Sequence, residues 1–303
     1  MGTVKFGACE YNFPVWGSLA LEMAHEAGFD GIEITDGGGY LQPHPMNKGL
    51  FVEYERLALN LVRLDGFPLT DRIVQEDYLE ARDRTGIQIT GVYLYFLNSQ
   101  GFVNCDNKTL QGQDALKTIK NAVMAASRMG IPLVSVPTKG MFGVAKNAYA
   151  LEKLEYAVRV GGEYGVRIAN SFDTSLAREL EVLDRLGGKL KADFNTIDPV
   201  VYAQGDPAEM IRAVGRERIE QLKIKDLKAD REGFLTRETG EDAALGRGDA
   251  PWRDCVRAAR DIGFEGWVLS DTPFNSAALR EDGGDYVSLA KRDAAVLREA
   301  FGG

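Results

Sequence analysis

Residues 166 to 193 read VRIANSFDTSLARELEVLDRLGGKLKAD. Val166–Asn170 has the two-residue period of a strand. Val166, Ile168 and Asn170 face one way, and Arg167, Ala169, Ser171 and Asp173 the other. Residues 175–186 then carry the amphipathic spacing of a helix, and Leu190–Asp193 begins a second strand. A strand, a helix and a strand in so short a run make one βα repeat of a parallel sheet.

Outward from this unit the alternation continues in both directions. Earlier strands are expected at Val4–Cys9, Gly31–Thr35, Ile87–Tyr95 and Leu133–Val136, and later ones at Gln221–Lys225 and Trp267–Ser270. Helices are expected at Ser18–Ala27, stopped by Gly28, and near 75–85, 112–129, 146–163, 207–214, 251–262 and 288–300. Ser18 is the expected N-cap of the first helix, with Glu22 one turn further in. Eight strands, each followed by a helix, predict a single-domain (β/α)8 TIM barrel over residues 1–303. An open doubly wound sheet is the alternative, but no strand leads into a GxGxxG or P-loop turn. The run Gly37-Gly38-Gly39 leads into Tyr40-Leu41-Gln42-Pro43 and reads as loop.

Two insertions interrupt the repeat. Residues 37–74 hold Pro43-His44-Pro45 and an expected short helix near 51–63, and residues 228–250 are polar and Gly-rich. Both belong to the face where barrel active sites form, as lids, surface decoration or dimer contacts.

Hydrophobic residues are 45% and charged residues 27% of the chain, a composition able to fill a core. A formal charge of −9 argues against nucleic acid or an anionic membrane as partner, since both need a basic face. Cys9, Cys105 and Cys255 form no CxxC pair and imply free thiols in a reducing compartment. Met1-Gly2-Thr3-Val4-Lys5 shows no signal-peptide pattern, and no apolar run reaches the length of a membrane span. The expected location is cytoplasmic.

Five stretches in order carry a resemblance. They are Ala27-Gly28-Phe29-Asp30-Gly31-Ile32-Glu33-Ile34, Tyr164-Gly165-Val166-Arg167-Ile168-Ala169, Lys223-Ile224-Lys225-Asp226, Leu245-Gly246-Arg247-Gly248-Asp249 and Ile262-Gly263-Phe264-Glu265-Gly266-Trp267. Together they resemble the xylose-isomerase-like barrel superfamily of sugar and sugar-phosphate isomerases, epimerases, inosose and dehydroshikimate dehydratases, and endonuclease IV. Endonuclease chemistry would need a histidine-rich metal cluster and a basic groove, and the chain has two histidines. The resemblance implies one divalent metal held by a Glu, an Asp, a His and a second Glu on strands five to eight. Residue by residue these fall on Ser171, Asp193, Lys223 and Asp271, and two further family histidines fall on Asp173 and Thr196. If the fifth strand slips by one residue, Asn170 takes the place of Ser171.

A lysine ammonium offers a metal only protons, and its charge repels a cation by several kcal/mol at close range. Lys223 is therefore expected to replace the metal and pair with Asp193 and Asp271, and no cofactor is expected. Such a lysine can stabilise an enediolate, exchange a proton or, with a lowered pKa, form a Schiff base. Asp193 and Asp271 are the expected acid and base. Expected substrate contacts are Glu33, Ser171, Asp173, Glu10, His44, Lys225 and Asn195, with Asn12, Tyr93, Tyr95, Thr138 and Lys139 as further strand-end candidates. His25, Cys9 and Trp267 read as structural.

Three functions fit. The first is a metal-independent isomerase, epimerase or lyase acting on a sugar, keto-sugar or cyclitol. The second is a Mn- or Mg-dependent isomerase with Asp193, Asp271, Asp173 and Asn170 as oxygen donors. The third is a non-catalytic sugar-binding or regulatory subunit. The expected partner is a small carbohydrate, and barrels of this kind commonly pair as homodimers.

Overall fold

In the computed structural model of this chain, the residues described are 4–36, 68–95, 97, 104–138, 148–172, 174–235, 240–276, 279 and 285–302. Eight strands form the barrel wall: β1 (Lys5–Cys9), β2 (Gly31–Thr35), β3 (Gln88–Tyr93), β4 (Leu133–Pro137), β5 (Arg167–Ser171), β6 (Leu190–Asn195), β7 (Ile219–Ile224) and β10 (Trp267–Ser270). They close in the order β1-β10-β7-β6-β5-β4-β3-β2, every neighbouring pair parallel. The helices are α1 (Ser18–Glu26), α2 (Arg72–Thr85), α3 (Leu110–Met129), α4 (Ala148–Tyr164), α5 (Leu176–Arg185), a single turn α6 (Asp198–Val201), α7 (Pro207–Val214), α8 (Trp252–Asp261) and α9 (Tyr286–Gly302). Among the described residues no helix is long and apolar enough to cross a membrane.

The core lies between wall and helices. Ile32, Val134, Ile168, Leu222 and Val268 point outward from their strands and are buried against apolar helix faces such as Ile119, Val123 and Leu154. The inner face alternates with these residues. Its base is plugged by Trp267, which Gly31 makes room for, since a Cβ there would stand 2.6 Å from the indole ring. The opposite end, where the strands finish, is polar.

Element ends differ from expectation where side chains of neighbouring elements act as caps. Asp71 accepts from the Ile73 N–H at 2.9 Å and starts α2 ahead of the expected residue 75. Ser18 is not a cap but the first residue of α1, after Gly17 with φ +67°. Two carboxylates from elsewhere satisfy that helix start, Asp77 at 3.1 Å from Ser18 N and Glu10 at 2.9 Å from Gly17 N.

The insertion after β7 is more ordered than a polar loop. It opens with an antiparallel hairpin, β8 (Asp226–Lys228) with β9 (Glu241–Ala243). The Asp226 carboxylate gathers the chain that returns from it, accepting from the N–H groups of Leu227, Gly246, Gly248 and Ala250 at 2.9 to 3.1 Å. Gly248 permits that approach, because a Cβ would stand 2.5 Å from the Leu227 carbonyl oxygen. Residues 236–239 of this insertion lie outside the described residues. So do 37–67 of the other, with Gly37–Gly39, His44 and the expected helix near 51–63.

Candidate active site

Period two puts Gln221 and Lys223 on the inner face of β7, and both are buried. The Lys223 ammonium lies 2.7 Å from Asp193 Oδ2 and 2.7 Å from Glu33 Oε2. Both contacts are ion pairs, and the one to Asp193 is also a hydrogen bond. The expected pairing of Lys223 with Asp271 is thus corrected: Glu33, reaching across from β2, takes that place. Gln221 braces the same two carboxylates, its Nε2 donating to Glu33 Oε1 at 2.5 Å and to Asp193 Oδ1 at 2.9 Å. Ser135 on β4 donates to Asp193 Oδ2 at 2.5 Å. The Tyr93 ring covers the ammonium with its centroid 3.9 Å away.

Both carboxylates stand beside breaks in strand register. The β2–β3 pairing slips between Ile32 and Glu33, and the β6–β7 pairing slips between Ala192 and Asp193. Each slip inserts one residue in the partner strand, Thr90 in β3 and Glu220 in β7. Bulges re-aim side chains in this way.

Burial pushes the Glu33 carboxyl up to about 7, with Lys223 opposing and the Asp193 charge adding to the rise. Burial also works against the Lys223 charge, but the Asp193 and Glu33 carboxylates outweigh it and hold the ammonium well above the ordinary lysine value. Lys223 is therefore a lasting cation. A Schiff base would need the opposite shift.

Asp271, just past β10, is held by neutral donors. Tyr11 and Asn12 donate to its Oδ1 at 2.8 and 3.0 Å, and Asn195 donates to its Oδ2 at 2.8 Å. Around Tyr11 two further rings gather. Its centroid is 5.4 Å from that of Tyr95 in a stacked arrangement and 5.6 Å from that of Tyr93.

Other expected residues are committed elsewhere. Glu10 is buried and accepts from Gly17 N, Thr35 N, Thr35 Oγ1 and Tyr78 Oη, so it ties β1 to β2, α1 and α2. Lys225 turns away to Asp242 of the hairpin at 3.4 Å. Asn170 bridges β5 to β4 through the Val136 carbonyl and Thr138. Ser171 is buried at the end of β5, and its hydroxyl has no partner among the described residues. Thr196 and Asn195 flank the end of β6, and Thr196 N donates to the Lys223 carbonyl at 2.9 Å. Asp173, His44 and Lys139 lie outside the described residues. Cys9 is buried, and burial pushes its thiol well up, as suits a packing residue. His25 is exposed on α1 beside the barrel base, away from the mouth.

Sequence reasoning did not name Gln221, Ser135 or Tyr11. Gln221 carried a usable signal, since it stands two residues before Lys223 and shares its face. Tyr11 carried none, because it leaves β1 in a short 3-10 turn, Glu10–Asn12, where strand period no longer applies.

The family model described as xylose isomerase-like TIM barrel matches residues 21–299, and the chain belongs to that family. No curated protein matches it. Among solved structures it is similar to the IOLI protein with a bound zinc atom, at 16% identity, 98% coverage of each chain and TM-score 0.68. It is similar to D-psicose 3-epimerase from Clostridium cellulolyticum H10, at 15% identity, 98% of each chain and TM-score 0.65. It is also similar to 3-keto-D-glucoside 4-epimerase from E. coli, at 14% identity, 98% of this chain, 100% of the other and TM-score 0.66. At such identities the likeness is one of fold.

Proposed function

We propose that this barrel is a sugar isomerase or epimerase that moves a proton next to a carbonyl, with Lys223 as a fixed cation in place of a divalent metal. The observation that carries the reading is the buried Lys223 ammonium, 2.7 Å from both Glu33 and Asp193 at the end where barrel enzymes act. Kinship in fold with sugar epimerases supports the reaction class. Elimination, the other reaction considered, has no counterpart in the names of those relatives and is set aside.

The donor set does not suit a divalent ion. Lys223 and Ser171 stand where the resemblance places two ligands, one donor-only and one neutral, and the ammonium already fills the gap between the carboxylates. Removing a proton beside a carbonyl puts negative charge on oxygen, and a buried permanent cation lowers the energy of that state through its field. Asp271 is the base in this scheme. Tyr11, Asn12 and Asn195 hold its carboxylate in place, and it hands the proton back to the neighbouring carbon or to the other face of the same carbon.

The test is solvent-deuterium exchange at the carbon beside the carbonyl for a panel of ketohexoses. Lys223→Met is expected to slow exchange on the order of a hundred-fold or more. That variant leaves two carboxylates bare, so Lys223→Met with Glu33→Gln, which limits the charge imbalance, is measured beside it. Wild-type exchange rates in both would sink the assignment. A requirement for about one equivalent of Mn, Mg or Zn would favour the metal-dependent reading. Sugar binding with no exchange would favour a non-catalytic protein.

A further inference from the structure

Glu179 lies in the first turn of α5, outside the cluster around Lys223. It is 1% exposed, and its Oε1 has no hydrogen-bond partner among the described residues. Burial pushes its carboxyl up to about 8. Such a group is costly to bury unless something meets its oxygens. It opens on a void of about 10 Å³, the space one water centre needs. Phe172, Phe194 and Met210 wall this void, and Thr174, Gln204 and Asn195 supply its other polar edges.

Asn195 is the link to the mouth. Its Nδ2 donates to Asp271 Oδ2 at 2.8 Å and its Oδ1 accepts from Ile197 N at 3.2 Å. One amide hydrogen and one lone pair remain for a further partner. The geometry points to one water held in this void between the Glu179 carboxyl and the Asn195 side chain, making Glu179 a positioning residue for the Asp271 carboxylate. The water satisfies Glu179, fixes the Asn195 amide plane, and thereby fixes the donor that aims Asp271. Only the part played by Asp271 rests on the proposed function.

Three readouts on the full chain test this. A high-resolution crystal structure is expected to show one water within hydrogen-bond distance of both side chains. In isotope-labelled protein, Glu179→Leu is expected to shift the Asn195 side-chain amide resonance, whereas Met210→Leu, on the same void but without a polar partner, leaves it in place. In the deuterium-exchange assay, Glu179→Leu is expected to lower kcat on the order of ten-fold with KM little changed, and Glu179→Gln to restore it. A dry void, or an Asn195 resonance indifferent to Glu179→Leu, overturns the proposal. If no sugar exchanges, the proposed function fails on its own and the first two readouts still decide this one.

Discussion

At the residue scale, Lys223 is a buried cation already paired with Glu33 and Asp193 before any ligand arrives. Deleting one partner of a buried pair costs about 3–5 kcal/mol, so Lys223→Met is expected to lose that much in urea unfolding at neutral pH. The loss depends on pH with a definite sign. The Glu33 carboxyl sits at about 7 in the folded protein against 4.5 ordinarily, so its contribution is complete below 4.5 and is lost as pH rises through about 7. Without Lys223 to oppose the shift, Glu33 moves higher still, so the deficit of Lys223→Met is expected to widen between pH 5 and pH 8. Adding Glu33→Gln is expected to flatten it. A deficit that narrows with rising pH would contradict this account. The resemblance pointed to Lys223, Asp193 and Asp271, which the fold places at the ends of β7, β6 and β10. The lysine's pairing with Asp193 was expected, but its second partner was not, because Glu33 meets it across the barrel and period two says nothing of what lies opposite.

At the element scale, the eight wall strands and the longer helices between them were readable, since they depend on local pattern. Boundaries were not, wherever a distant carboxylate sets them. Asp77 and Glu10 satisfy the start of α1 in the role expected of Ser18, Asp77 from the following helix and Glu10 from the turn after β1. The register slips beside Glu33 and Asp193 were equally hidden, because a bulge is a relation between two strands. The hairpin after β7 escaped notice because its strands are three residues each and its organiser, Asp226, works through backbone N–H groups. Asp226→Ala strips four donors of their acceptor and is expected to cost about 1–3 kcal/mol, read as lowered melting temperature and faster proteolysis within 228–250. At the barrel base, Gly31→Ala is expected to cost about 1–3 kcal/mol by pressing on Trp267, with the loss recovered in part by Trp267→Phe.

At the scale of the whole molecule, packing of helices around the closed barrel takes acids on separate elements out of bulk solvent. Burial holds Glu179 at about 8 and Asp293 at about 6, and both lie above the ordinary carboxylate range. By the same sign rule as for Glu33, their contributions are complete at low pH and fade as pH climbs through those values. The molecule is therefore expected to be more stable at pH 5 than at pH 8. Glu179→Gln is expected to raise the melting temperature at pH 8 and leave it nearly unchanged at pH 5. An equal effect at both would show that Glu179 does not titrate in this range. The cage around Lys223 has a separate consequence for the chain as a chemical target. Amine-directed acylating reagents need an uncharged, reachable nitrogen, and this one is walled by two carboxylates and a phenol ring. In a native-state labelling experiment read by peptide mass, the surface lysines would be tagged within minutes, while Lys223 would stay unmodified until the barrel opens.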